Sequence, residues 1–227
     1  MNNKDQLTHV YFMPGMAAKP SIFEFIKLPE DKYKVHWLAW KMPKKNESLQ
    51  AYAKRMLIDI THKNPVLIGV SFGGVIVQEI SKIIPVKRLI LISTVKSKEE
   101  LPQRMKFAKQ TKLYKIFPTS LAGYVGMLEK FPVGRFARKR VQLYKKYMSV
   151  HEKQYLDWAI EQMLCWDQQK PLPDTVHIHG DQDVVFPIKN ITECIVVPGG
   201  THVMIINRFR WFNEHLPELI SSGKLAE

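Results

Sequence analysis

The sequence predicts an α/β fold, with a mostly parallel central sheet, helices on both faces and a helical segment inserted between two strands. Three observations carry this expectation. Short apolar, β-branched runs alternate with stretches of helical periodicity. A Gly-x-Ser-x-Gly motif falls at one strand-to-helix junction. Between Val95 and Pro171 the alternation stops, and apolar residues recur at helical spacing only. At 227 residues, 45% of them hydrophobic, the chain is long enough to bury a sizeable core as one domain over 1–227.

Thr8–Met13 reads as the first strand and runs into Pro14-Gly15-Met16, and Tyr33–Leu38 reads as the second. Ser48–His62 has helical spacing. Pro65–Val70 is a short apolar run that leads into Gly69-Val70-Ser71-Phe72-Gly73, and Phe72–Ile84 is apolar enough for a buried helix. Further strands are expected at Arg88–Ile92, Thr175–His179 and Cys194–Val197. The chain then closes on a helix whose core positions are Ile205, Phe209, Phe212, Leu216 and Leu219. Strands separated by helices argue for parallel pairing with both sheet faces covered.

Composition alone yields roughly 0.02 chance Gly-x-Ser-x-Gly matches in such a chain, so the motif is a signal. Its chemistry depends on a sharp turn that exposes the serine, with glycines where side chains would strike neighbouring backbone. A serine hydroxyl is a poor nucleophile at neutral pH; it needs a base to take its proton and an acid to hold that base. His202 lies in the Gly-rich loop Pro198-Gly199-Gly200-Thr201-His202, after one predicted strand. Asp181 and Asp183 lie in Gly180–Pro187, after another. Ser71, Asp183 and His202 occur in the chain order of an α/β-hydrolase triad.

Over nearly its whole length the chain resembles the α/β-hydrolase-fold superfamily, with GVSFGG, HGDQDVVFP and GGTH as its marks. The resemblance implies a serine-nucleophile, esterase- or lipase-like protein with catalytic residues Ser71, Asp183 and His202. It implies an oxyanion hole from the backbone N–H groups of Phe72 and Met16, with Pro14 standing where many members carry histidine. Asp183 is preferred to Asp181 on the family spacing to Pro187, aspartate being common in turns for local reasons. The helices of 96–171 become a cap over the site, whose apolar residues Tyr124, Met127, Leu128 and Phe131 are pocket candidates. A serine at the elbow, where other branches carry aspartate, argues against dehalogenase and epoxide hydrolase chemistry.

The function expected is hydrolysis of a carboxylic ester or related acyl compound, thioesters included, through an acyl-enzyme. A lyase or C–C bond hydrolase on the same triad, and a non-catalytic small-molecule receptor with a capped pocket, are the alternatives. No organic cofactor is called for. His177-Ile178-His179-Gly180-Asp181 resembles the start of an HxHxDH metal motif, but Gln182 replaces its last histidine, so no metal is expected. The other histidines, among them His9, His36 and His62, read as structural or solvent-facing.

The net charge is +13, and Lys96–Lys146 holds 14 basic against 3 acidic residues. A basic cap suits an anionic acyl substrate or peripheral contact with an anionic membrane, but a solvated, solubilising face is the plainer reading. Nucleic acid is not an expected partner, since no recognition motif accompanies the charge. A polar N-terminal stretch, no membrane-length apolar run, and two distant cysteines, Cys165 and Cys194, fit free thiols in a reducing cytoplasm. Oligomeric state is not specified by any of these features.

Overall fold

A computed structural model describes residues 7–116, 146–147 and 152–225. Among the described residues, six strands form one parallel sheet in the order β2-β1-β3-β4-β5-β6. They are β1 Thr8–Met13, β2 Tyr33–Trp37, β3 Val66–Val70, β4 Arg88–Ile92, β5 Thr175–Gly180 and β6 Ile195–Val197. The helices are α1 Leu49–Met56, α2 Phe72–Ser81, α3 Gln103–Thr111, α4 Lys153–Cys165, α5 Met204–Asn207 and α6 Phe209–Ser221. The predicted α/β class and parallel pairing are therefore what the chain adopts.

Alternation along β1 explains the layering. Tyr11 and Met13 pack into one core with Tyr52 of α1, Val75 of α2 and Tyr155 of α4. Val10 and Phe12 point the other way, into a core with Phe212, Leu216 and Leu219 of α6. β3 is buried at every position, as expected of a central parallel strand covered on both faces.

Several boundaries differ from the sequence expectation. The helix expected over Ser48–His62 ends at Met56 and tightens into a 3₁₀ turn at Leu57–Asp59, so His62 lies in a loop. Ser48 caps its start, with Oγ accepting the Ala51 N–H at 3.2 Å. The helix expected to reach Ile84 stops at Ser81, because Pro85 disfavours helical backbone in the residue before it. The last helix is divided at Arg208, whose guanidinium reaches back to the Gly199 carbonyl at 3.1 Å.

α3 and α4 lie between β4 and β5 in the chain. Most of the remainder of 96–171, with Tyr124, Met127, Leu128 and Phe131, lies outside the described residues. The first residue of the basic segment is not solvent-facing. Lys96 is buried, and its Nζ donates to the Thr192 and Glu193 carbonyls at 2.5 and 2.8 Å. Glu100 is buried beside it, accepting the Lys96 N–H at 2.6 Å and bonding both N–H and hydroxyl of Thr192. These contacts tie the exit of β4 to the loop before β6. No helix among the described residues is long and apolar enough to cross a membrane, and Cys165 and Cys194 are free thiols.

His177 and His179 of β5 are buried, and neither nitrogen of His177 has a hydrogen-bond partner among the described residues. Burial, followed by the charge of His179, holds the His177 ring well below the ordinary imidazole range. Burial likewise lowers His179. The unfolded chain takes up protons at these positions as pH falls through about 6.5, the folded chain only at lower pH, so stability is full above that pH and erodes below it. Each neutral imidazole contributes a slope of up to about 1.4 kcal/mol per pH unit. Melting temperature is expected to fall between pH 7 and 5.5, and less steeply in His177→Leu; equal slopes in the two proteins would refute this account.

Candidate active site

The strand order reverses direction between β1 and β3, and in such sheets ligands bind at the carboxyl ends flanking that point. Here the flanking loops are Pro14-Gly15-Met16 after β1 and Ser71 after β3. Ser71 sits at φ 52°, ψ −125°, a strained conformation for a residue with a side chain. Its surroundings impose it: Ser71 N–H donates to the Ile92 carbonyl at 2.9 Å, and the Thr94 hydroxyl donates to the Ser71 carbonyl at 2.7 Å.

The motif glycines make this turn possible by close approach. A β-carbon on Gly69 would lie 2.5 Å from the Gly73 carbonyl oxygen. One on Gly73 would lie 2.5 Å from the Met13 carbonyl oxygen and nearer still to that of Pro14. Backbone on both sides leaves no flexible side chain to yield. Gly73→Ala is therefore expected to cost about 3 kcal/mol or more, read as a lower urea midpoint at unchanged m-value. A midpoint equal to that of the native chain would contradict this packing.

His202 Nε2 lies 3.0 Å from Ser71 Oγ, and His202 Nδ1 lies 2.9 Å from Asp183 Oδ2. The other carboxylate oxygen of Asp183 accepts the N–H groups of Val185 and Phe186 at 2.8 and 2.9 Å. Asp183 is only 4% exposed. Burial pushes its carboxyl up, but the hydrogen bond and charge of His202, with the Phe186 N–H, outweigh that and leave it below its ordinary value. His179 Nε2 donates to the Phe186 carbonyl at 2.8 Å and approaches Asp183 Oδ2 at 3.5 Å, so a second imidazole braces the Asp183 loop. Asp181 is placed differently. It is exposed and accepts the Gly199 N–H at 2.7 Å, fastening the loop that leads to His202.

Phe72 is the first residue of α2, so its N–H is among the donors that a helix leaves without an internal partner. Across from it, a β-carbon on Gly15 would lie 3.3 Å from that of Ser71, which puts the Pro14–Ala17 turn against the serine. Two residues the sequence reading did not single out hold this turn. Trp40 Nε1 donates to the Gly15 carbonyl at 2.8 Å while its ring stacks on Phe72. The Tyr155 hydroxyl accepts the N–H of Ala17, itself at φ 62°, at 3.2 Å. No motif marks either residue; they lie far from the turn in sequence, and only the packing of α4 on the sheet brings Tyr155 there.

Ser71 and His202 open onto a cavity of about 600 Å³. Its described walls are mainly apolar and include Ile22, Met105, Ile160, Met163, Leu164 and Val185. Helical spacing between Val95 and Pro171 made Ile160, Met163 and Leu164 expected helix positions, but the sequence did not assign them to the pocket. Their helix, α4, turns these residues toward the serine.

The same architecture recurs among solved structures. An esterase from Exiguobacterium antarcticum superposes with a TM-score of 0.65 at 19% identity, over 95% of this chain and 92% of that one. A thermophilic esterase from Thermogutta terrifontis gives 0.65 at 14% identity, over 94% and 89%. A bromoperoxidase from Bacillus anthracis gives 0.63 at 16%, over 96% and 93%. The chain has the α/β-hydrolase fold. No family model matches the sequence, and a search of curated proteins finds no match.

Proposed function

We propose that this protein is a serine hydrolase acting on carboxylic esters or related acyl compounds, thioesters included. One observation carries the reading: Ser71 Oγ, His202 and Asp183 form a continuous hydrogen-bonded chain at the mouth of an apolar cavity. The esterases among the solved structures of this fold support the same class of chemistry.

In this mechanism His202 Nε2 takes the Ser71 proton as Oγ attacks the acyl carbonyl. Asp183, accepting from Nδ1–H, keeps the imidazole in the tautomer whose Nε2 lone pair faces the serine, and stabilises the imidazolium that forms. The N–H groups of Phe72 and Met16 hold the oxyanion, each worth about a hundredfold or more in rate. The imidazolium then returns its proton to the leaving oxygen or sulfur, and the C–O or C–S bond breaks. Water, deprotonated by the same imidazole, attacks the acyl-enzyme and regenerates Ser71 with release of the acid. The strained backbone of Ser71 keeps Oγ presented to substrate without a conformational change. The segment 96–171 serves as the cap that shields this chemistry from bulk water.

Intact-mass labelling with a fluorophosphonate tests the proposal. The native protein is expected to gain one adduct, and His202→Ala none on the same timescale. A folded native protein that gains no adduct, and that cleaves nothing in a panel of esters and thioesters of graded acyl length, would overturn it and favour the receptor reading.

A further inference from the structure

A second cluster of chemistry-bearing side chains lies toward the amino end of β1, away from the loops that hold Ser71. His9 of β1 and His36 of β2 approach with Nδ1 of the first 2.9 Å from Nε2 of the second. His62, in the loop between α1 and β3, stacks its ring on His9 with centroids 3.4 Å apart. Its Nδ1 lies 2.6 Å from the Tyr11 hydroxyl, which also accepts the Thr61 N–H at 3.3 Å. One nitrogen from each of the three imidazoles lies within 4.8 Å of the other two, and all three residues are partly buried. No spacing in the sequence announces the group. Parallel register brings His36 opposite Tyr11, and the loop after α1 carries His62 onto the same face.

We propose that His9, His36 and His62 form a binding site for a divalent first-row transition ion of the Zn²⁺ type. Three neutral imidazoles with no carboxylate suit Zn²⁺, Cu²⁺ or Ni²⁺ and do not suit Mg²⁺ or Ca²⁺, which take oxygen ligands. Two nitrogens on a tetrahedral Zn²⁺ stand about 3.3 Å apart, so the 2.9 Å pair need open only slightly as the ion replaces the proton they share. Tyr11 engages Nδ1 of His62 and leaves Nε2 for the ion, the outer-sphere support that metal-bound histidines use. Binding requires the His62 ring to turn out of its stack on His9, which its partial exposure permits. The fourth position is left to water. Occupied, the site would clamp the β1–β2 edge to the α1–β3 loop.

Isothermal titration of the full chain with zinc chloride at pH 7.5, after treatment with a chelator, tests this. One ion per chain is expected, with affinity at least tenfold weaker in His36→Ala and in His62→Ala and unchanged in His202→Ala. Zn-edge X-ray absorption on the native protein is a readout that no variant's folding can confound. It is expected to give imidazole nitrogens at about 2.0–2.1 Å with no sulfur. Absence of saturable binding, affinity that survives His9→Ala/His36→Ala, or a sulfur-containing shell would each overturn the proposal.

Discussion

Ser71→Ala should abolish turnover while leaving the fold intact. In hydrolases built on a serine–histidine pair, removing the nucleophile lowers kcat by about 10⁶, the remainder coming from the oxyanion hole and substrate binding. Alanine keeps the β-carbon and the backbone contacts that set the turn: the Ile92 and Thr94 hydrogen bonds involve main-chain atoms of residue 71 only. Among the described residues, the side-chain hydrogen-bond partner lost is His202. Hydrolysis of a short-chain p-nitrophenyl ester should therefore fall to background and the fluorophosphonate adduct vanish, while the urea midpoint barely moves. A variant with more than about a thousandth of native kcat would show that Ser71 is not the nucleophile, since the residual catalysis of such sites is far smaller.

Asp183→Asn should lower kcat by about 10⁴. The reason lies in which atoms donate. The carboxylate accepts from Val185, Phe186 and His202, and the asparagine oxygen can keep the two backbone donors. Its NH₂ must then face His202 Nδ1, which forces the proton onto Nε2, where no lone pair remains to accept from Ser71. The fold should survive because the buried N–H groups stay paired, whereas Asp183→Ala would strand them at a cost of about 1–3 kcal/mol each. Asp181→Asn is the control. That side chain bonds Gly199 rather than His202, so steady-state kinetics should show at most a few-fold change. Equal losses at both positions would mean that the effect comes from disturbing the loops and not from the imidazole tautomer.

Legibility of the site followed the range of the interactions involved. The elbow could be read because its requirements are consecutive: an apolar strand, two glycines and a helix start, all within a few residues of Ser71. The stabilising residues around it could not. Trp40 and Tyr155 reach the Pro14–Ala17 turn across 25 and 138 residues of chain, and nothing in their own neighbourhoods marks the contact. Lys96 shows the opposite failure. Its sequence surroundings are basic and polar, yet it is buried because two carbonyls and Glu100 converge on it from later or neighbouring segments.

By itself, then, the sequence determined the α/β class, the succession of the six strands among the described residues, and the order of Ser71, Asp183 and His202, because apolar periodicity and turn chemistry act between near neighbours. The tertiary structure decided the rest. It gave Asp183, already preferred from the sequence, its contact with His202, and Asp181 its contact with Gly199. It turned the Ile160–Leu164 stretch of α4 toward the serine. It also gathered His9, His36 and His62 from three segments into one group. Each of these depends on strand register and on how helices and loops pack across the sheet, and those are set by the whole core rather than by any local pattern.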